Sequence, residues 1–333
     1  MSVEKGTNLT DASPTRKDRL TNVVLWGLAM AYVVATILRA ILPNLNTFPT
    51  ILLLFPFTLI HGMKRYPWKG IAIFVIITLI VSGIMENLSI LTGFPFGHYY
   101  YTDALGPKVT LVPLLIFPSY IAFGYLAWVL STLIVGRVRR GATIFTTIAV
   151  PLVASFMMVA WDLSLDPIAS TINQTWIWTR GGGYFGVPIS NFLGWSLTVY
   201  VFFQLFALYL GKRGSADPSP AIPITHYLQI ILVYMWTGVG FVLNYPFRPT
   251  NTQITDAVGH MWQTSDIYET TAISAIYTMI FISTLALAIL LRDRLVQKGE
   301  SAITMAKRVS ALPRYASVQL SKVAKWRTKS AFC

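Results

Sequence analysis

The chain has 333 residues, 54% hydrophobic and only 12% charged, with a formal net charge of +13, whereas a soluble domain carries about twice that charged fraction. This excludes an ordinary soluble fold. The Lys and Arg residues fall in short clusters between apolar runs, as orientation signals do, which excludes nucleic acid as the partner of the positive charge.

In chain order, residues 1–20 are polar and begin no apolar core, so they read as a mobile tail and not as a cleaved signal peptide. A helix needs about 20 apolar residues to cross the hydrocarbon. Runs at 22–42, 47–63, 70–92, 111–135, 143–166, 188–211, 223–245 and 268–291 predict an all-α polytopic membrane bundle of about eight transmembrane helices, filling 21–292 as one body. The second run is short and interrupted by Pro56, and so is open to a tilted or re-entrant reading. Basic residues occupy alternate loops. Arg16, Lys17 and Arg19 precede the first run; Lys64, Arg65 and Lys69 follow the second; Arg137, Arg139 and Arg140 the fourth; Lys212 and Arg213 the sixth; Arg292, Arg294 and Lys298 the eighth. The remaining loops hold only Lys108, Arg180 and Arg248. The positive-inside rule then puts both termini in the cytoplasm. Residues 293–333 form a basic cytoplasmic tail in which Lys307, Arg308, Arg314, Lys322, Lys325, Arg327 and Lys329 alternate with apolar side chains and Trp326; it reads as a partner for anionic lipid or as a solvated tail. The single cysteine, Cys333, allows neither a disulfide framework nor a cysteine-based metal site.

Few ionisable side chains lie within the predicted spans, and burying a charge there costs at least about 2.5–3.5 kcal/mol. Glu86 lies 17 residues beyond Lys69, roughly 25 Å along a helix, and Asp162 lies at comparable depth, so both belong to the non-cytoplasmic end and could face one cavity. Asp162 and Asp166 share a helix face, and Pro167 predicts that the helix ends near Asp166. Two carboxylates in a poorly hydrated place do not both ionise cheaply, which makes one a candidate general acid. The competing reading has Asp166 in turn hydrogen bonds and Asp162 and Glu86 as interhelical polar contacts.

Aromatic and glycine-rich segments follow these acids: GFPFGHYYY at 93–101 and WIWTRGGGYFG at 176–186. Tyr99, Tyr101, Trp176, Trp178, Tyr184 and Phe185 around an acid suit a reaction through a carbocation, because ring faces attract positive charge; taken singly, each also fits an interfacial aromatic belt. His61, His98, His226 and His260 have no metal-ligand spacing, and Gly181–Gly183 lacks the Lys-Ser or Lys-Thr of a phosphate loop.

Glu86 with FGHYYY (96–101), Gly106, Pro113, WDLSLDP (161–167), WIW (176–178) and GGYFGVPISNFLGW (182–195) together resemble the carotenoid biosynthesis membrane protein family, whose members include carotenoid hydratases. The resemblance covers the central half of the chain. It departs at Pro118, followed here by Ser119 and Tyr120 where the family pattern has a Trp. It implies an isoprenoid or carotenoid substrate, protonation of an isolated double bond by Asp162 or Glu86 with Asp166 as partner, and capture of the cation by water. It implies no metal and no redox cofactor. Asn191 and Trp195 would shape the pocket. The alternatives are a membrane terpene cyclase using the same cation, a prenyltransferase holding Mg2+ on Asp162 and Asp166, and a proton-coupled transporter.

Overall fold

The structure is a computed structural model that describes residues 15–42, 50–213, 223–248 and 251–310. Most of the predicted N-terminal tail, Cys333 and the basic positions Arg314, Lys322, Lys325, Arg327 and Lys329 with Trp326 lie outside the described residues. Nine helices are described: α1 (Arg16–Ile41), α2 (Ile51–Arg65), α3 (Trp68–Thr92), α4 (Ile116–Ile134), α5 (Ile144–Asp166), α6 (Ile189–Arg213), α7 (Ile224–Phe247), α8 (Thr264–Ala275) and α9 (Phe281–Ser310). A wide π turn, Pro167–Ile172, prolongs α5, and another, Ile276–Ile280, joins α8 to α9. The chain forms two compact units, Met1–Ala288 and Ile289–Cys333; the described part of the second is helical to Ser310. The site lies in the first.

Seven described helices are long and apolar enough to cross a membrane, with Thr264–Gln297 counting as one. The fold is therefore an integral multi-pass helix bundle. The eighth predicted crossing is α2, whose 15 residues reach only about 22 Å. It still joins opposite faces of the bundle. Thr50, at its start, accepts from Arg39 Nη1 at 3.3 Å; Arg65, at its end, donates to Thr132 Oγ1 at the far end of α4, 2.6 Å away. The polar tail is shorter than expected. Thr15 and Asp18 form a reciprocal capping box, Asp18 N donating to Thr15 Oγ1 at 3.1 Å and Thr15 N to Asp18 Oδ2 at 3.2 Å, and this starts α1 at Arg16. Residues 293–310, expected as tail, are likewise helical.

Helix α4 is the axis. Every residue from Tyr120 to Leu133 is buried, and 78% of its most apolar stretch lies inside protein, against 28% for α1 and α3. A helix apolar on all sides belongs in the centre, and the one-sided burial of α1 and α3 marks them as lipid-facing.

Short strands tie the loops of one face together. β1 (Tyr99–Tyr101) pairs antiparallel with β4 (Trp176–Trp178), with Tyr99 opposite Trp178 and Tyr101 opposite Trp176, so the segments leaving α3 and α5 are joined. Because side chains alternate along a strand, Tyr99 and Tyr101 turn inward while Tyr100 is exposed. The hairpin of β2 (Lys108–Val109) and β3 (Val112–Pro113) leads into α4, and that of β5 (Gln253–Thr255) and β6 (Met261–Gln263) follows α7, with β5 packed on the Pro167–Ile172 turn. The loops after α3, α5 and α7 thus share a face.

This topology makes a direct prediction for a Cys333→Ser protein carrying one new cysteine in sealed cells. Asp103→Cys and Val258→Cys should be accessible to an impermeant maleimide from the same side, and Arg140→Cys only from the other. Labelling of Arg140→Cys from the first side would overturn the crossing pattern.

Candidate functional site

The three acids singled out above line one cavity of about 590 Å3 together with Tyr99, Tyr101, Trp176, Trp178, Asn191 and Trp195. Glu86, on α3, is 2% exposed. Its Oε2 accepts from the hydroxyls of Tyr99 and of Tyr101, the latter at 3.0 Å, and its Oε1 from Tyr120 Oη at 2.7 Å. Three donors on one carboxyl are what an ionised, acceptor-only group takes. Two come from the inward positions of β1, which explains the spacing of Tyr99 and Tyr101; the third comes from the buried start of α4.

Asp162 and Asp166 present their Oδ2 atoms to one amide. Asn191 Nδ2 lies 2.8 Å from Asp162 Oδ2 and 2.6 Å from Asp166 Oδ2. Asp166 Oδ1 accepts from the indole N–H of Trp176 at 2.8 Å and of Trp178 at 3.3 Å. Among the described residues no donor reaches Asp162 Oδ1, and Asp162 is one of the residues that line the cavity. The four-residue spacing on α5 puts both acids on one face, and α6 brings Asn191 to them. The close approach of α6 requires Gly194, since a Cβ there would sit 2.6 Å from the carbonyl oxygen of Pro95.

The α-helical stretch of α5 ends at Asp166, as Pro167 predicted, but the chain does not turn away into a loop there. The chain runs on into the π turn, where Asn173 N donates to Ile168 O at 2.9 Å and Ser170 Oγ to Asp166 O at 2.8 Å; such turns recur at functional sites. Proline has no N–H for the carbonyl of Leu163. Tyr184 Oη takes that acceptor instead, at 3.1 Å. Tyr184 and Phe185, expected at the substrate, therefore stand outside the cavity lining. Phe185 packs its ring 5.4 Å from that of Trp262 on β6, holding the β5–β6 hairpin over the π turn. That hairpin is organised by Asp256, which accepts from Trp262 Nε1 at 3.0 Å and from the backbone of Val258 and His260. Burial pushes the Asp256 carboxyl up, but these donors outweigh it and hold it below the usual range.

Tyr120, Phe123 and Trp161 are among the lining residues that were not candidates. Tyr120 stacks on Trp195 at 4.6 Å and 8°, Phe123 on Trp161 at 4.1 Å and 20°, and Trp161 meets Trp195 edge-on at 5.9 Å. Only Trp161, inside WDLSLDP, had a signal in the sequence. Tyr120 and Phe123 lie on an evenly apolar helix whose pattern points to no one face. His61 and His226, 165 residues apart, stack at 3.6 Å in a separate buried cluster with Tyr125. Among the described residues no group of three His, Cys, Asp or Glu could hold a metal ion.

A family model described as carotenoid biosynthesis protein matches residues 44–252. The chain is also 30% identical over 175 residues to the bisanhydrobacterioruberin hydratase of Haloarcula japonica, an alignment covering 51% of this chain and 55% of that protein. The chain thus spans about half the length of this curated relative. No solved structure matches.

Asn191→Leu removes the donor shared by Asp162 and Asp166 without a large change of volume. It should cost about 1–3 kcal/mol, read as a lower Tm in detergent, with Asn191→Gln recovering part of the loss. An unchanged Tm for Asn191→Leu would mean that the amide is not holding the two acids.

Proposed function

The chain belongs to the carotenoid biosynthesis protein family, and from that premise we propose that it adds water to an isolated double bond of an acyclic carotenoid or related isoprenoid. The single observation that carries this reading is that Asp162, in an aromatic-lined cavity, leaves Oδ1 without a donor among the described residues while the remaining oxygens of the three acids are engaged by neutral donors. Asp162 and Asp166 crowd one amide in a dry place, where two negative charges are expensive, so the pair holds one proton. Asp162 gives it to the less substituted alkene carbon, and the π electrons form the new C–H bond. The tertiary cation left on the neighbouring carbon faces Trp195, Trp161, Tyr120 and Phe123, whose ring faces stabilise it. Water adds its oxygen to that carbon and loses one proton to the aspartate pair, which restores the acid. Atoms and electrons balance without a redox cofactor.

Glu86 has a different part. With phenols on both oxygens it is a poor proton donor, but as a fixed anion beside the cavity it lowers the energy of the cation. Tyr120 links the two functions, donating to Glu86 and stacking on Trp195. The indole and amide donors aimed at Asp166 are ligands for an anionic oxygen, not companions to a hard cation, which favours this chemistry over Mg-dependent prenyl transfer. The alternation of basic loops favours a site on the non-cytoplasmic side, with both termini in the cytoplasm.

Expression in cells that accumulate lycopene or another acyclic polyene, followed by mass spectrometry, should give products heavier by one water. Asp162→Asn should lower turnover by at least about 100-fold, and Glu86→Gln should do so with the protein still inserted. A product of unchanged mass and altered retention would replace hydration by cyclisation. Full turnover by Asp162→Asn would reject the assignment of the donor.

A further inference from the structure

The cavity has a second set of polar lining residues. Beyond the acids and aromatic rings it is lined by Arg39, near the end of α1, Thr50, at the start of α2, and Asn244 and Arg248, at the end of α7. These guanidinium groups do not neutralise the cavity acids, whose partners are phenol, indole and amide groups. The two arginines lie close together. Arg248 Nη2 donates to the backbone carbonyl of Arg39 at 2.9 Å, and Arg39 Nη1 donates to Thr50 Oγ1 at 3.3 Å. The Nε of Arg248 is buried and meets no acceptor among the described residues.

Two like charges drawn together at the wall of one cavity are stabilised by an anion between or beside them, and guanidinium forks match the oxygens of a phosphate. Their level supports the same chemistry, because the ends of α1 and α7 are where a spanning helix leaves the hydrocarbon and meets the phosphate layer of the leaflet. We propose that the Arg39–Arg248 part of the cavity binds the phosphate of a lipid whose apolar chain enters the cavity toward the aromatic wall. The phosphate has two sources with the same chemistry, a phospholipid of the surrounding leaflet or an isoprenoid phosphate. Thr50 and Asn244 add neutral polar contacts beside the cations. The subsite shares its cavity with the proposed hydration but does not rest on it, because occupancy is read without turnover.

The full-length protein, purified in a neutral detergent, tests this by thermal unfolding with four additions: geranylgeranyl monophosphate, geranylgeraniol, phosphatidylglycerol and inorganic phosphate. The phosphate-headed lipids should raise Tm by at least about 2 °C, with geranylgeraniol and inorganic phosphate well behind. Arg248→Gln should abolish the shift, and Arg248→Lys should retain part of it. A response to geranylgeranyl monophosphate alone identifies an isoprenoid phosphate as the source, and a response to phosphatidylglycerol identifies a leaflet lipid. Equal shifts with geranylgeraniol and its phosphate would overturn the proposal on the unmodified protein, whether or not Arg248→Gln folds. So would an undiminished shift in Arg248→Gln, or no shift with either phosphate-headed lipid.

Discussion

Three carboxyl groups buried within one helix bundle impose a demand for hydrogen-bond donors that the rest of the architecture meets. An unsatisfied polar group in such a place is costly, and an unpaired charge more so. Among the described residues no Lys or Arg neutralises them: Glu86 takes three phenols, Asp166 two indoles and an amide, and Asp162 the same amide. Those donors come from β1, β4, α4 and α6, so satisfying the acids also fixes how the loops and helices around the cavity pack.

The loop architecture follows from this demand. The β1–β4 ladder is only three residues long, too short to be stable by itself. Its inward side chains end on carboxylates at the mouths of α3 and α5, and they join the two helices through the same groups that line the cavity. Pro167 acts at the same place. By removing one helical hydrogen bond it leaves the Leu163 carbonyl for Tyr184 and widens the helix just beyond Asp166. Tyr184 and Phe185 thereby brace the end of α5 and the β5–β6 hairpin, though their position in the sequence put them among the pocket aromatics.

The acids differ in how fully their oxygens are hydrogen-bonded. Glu86 is surrounded by three donors, whereas Asp162 has one oxygen without a donor among the described residues and shares the amide on the other with Asp166. In the proposed reaction two carboxyls of similar intrinsic acidity take opposite tasks because of their neighbours, the logic by which environment assigns acid and base. In the proposed reaction the aromatic stack on α4, α5 and α6 offers the cation π faces beside the carboxylates.

Much of this was legible without coordinates. Apolar run length and alternating basic loops identify a multi-pass helical membrane protein, and the rarity of charge within spans isolates Glu86, Asp162 and Asp166, because the bilayer penalises every charge that has no task. Helical spacing put the two aspartates on one face. What the sequence leaves open is decided by contacts between distant segments. That Tyr120 caps Glu86, that Asn191 bridges the aspartates, that His61 stacks on His226 and that Arg39 and Arg248 share the cavity with the acids all depend on pairings 29 to 209 residues apart. Local periodicity cannot encode them. On α4, apolar on every side, no pattern marks which residue meets the cavity, and only the packing of neighbouring helices around it does so.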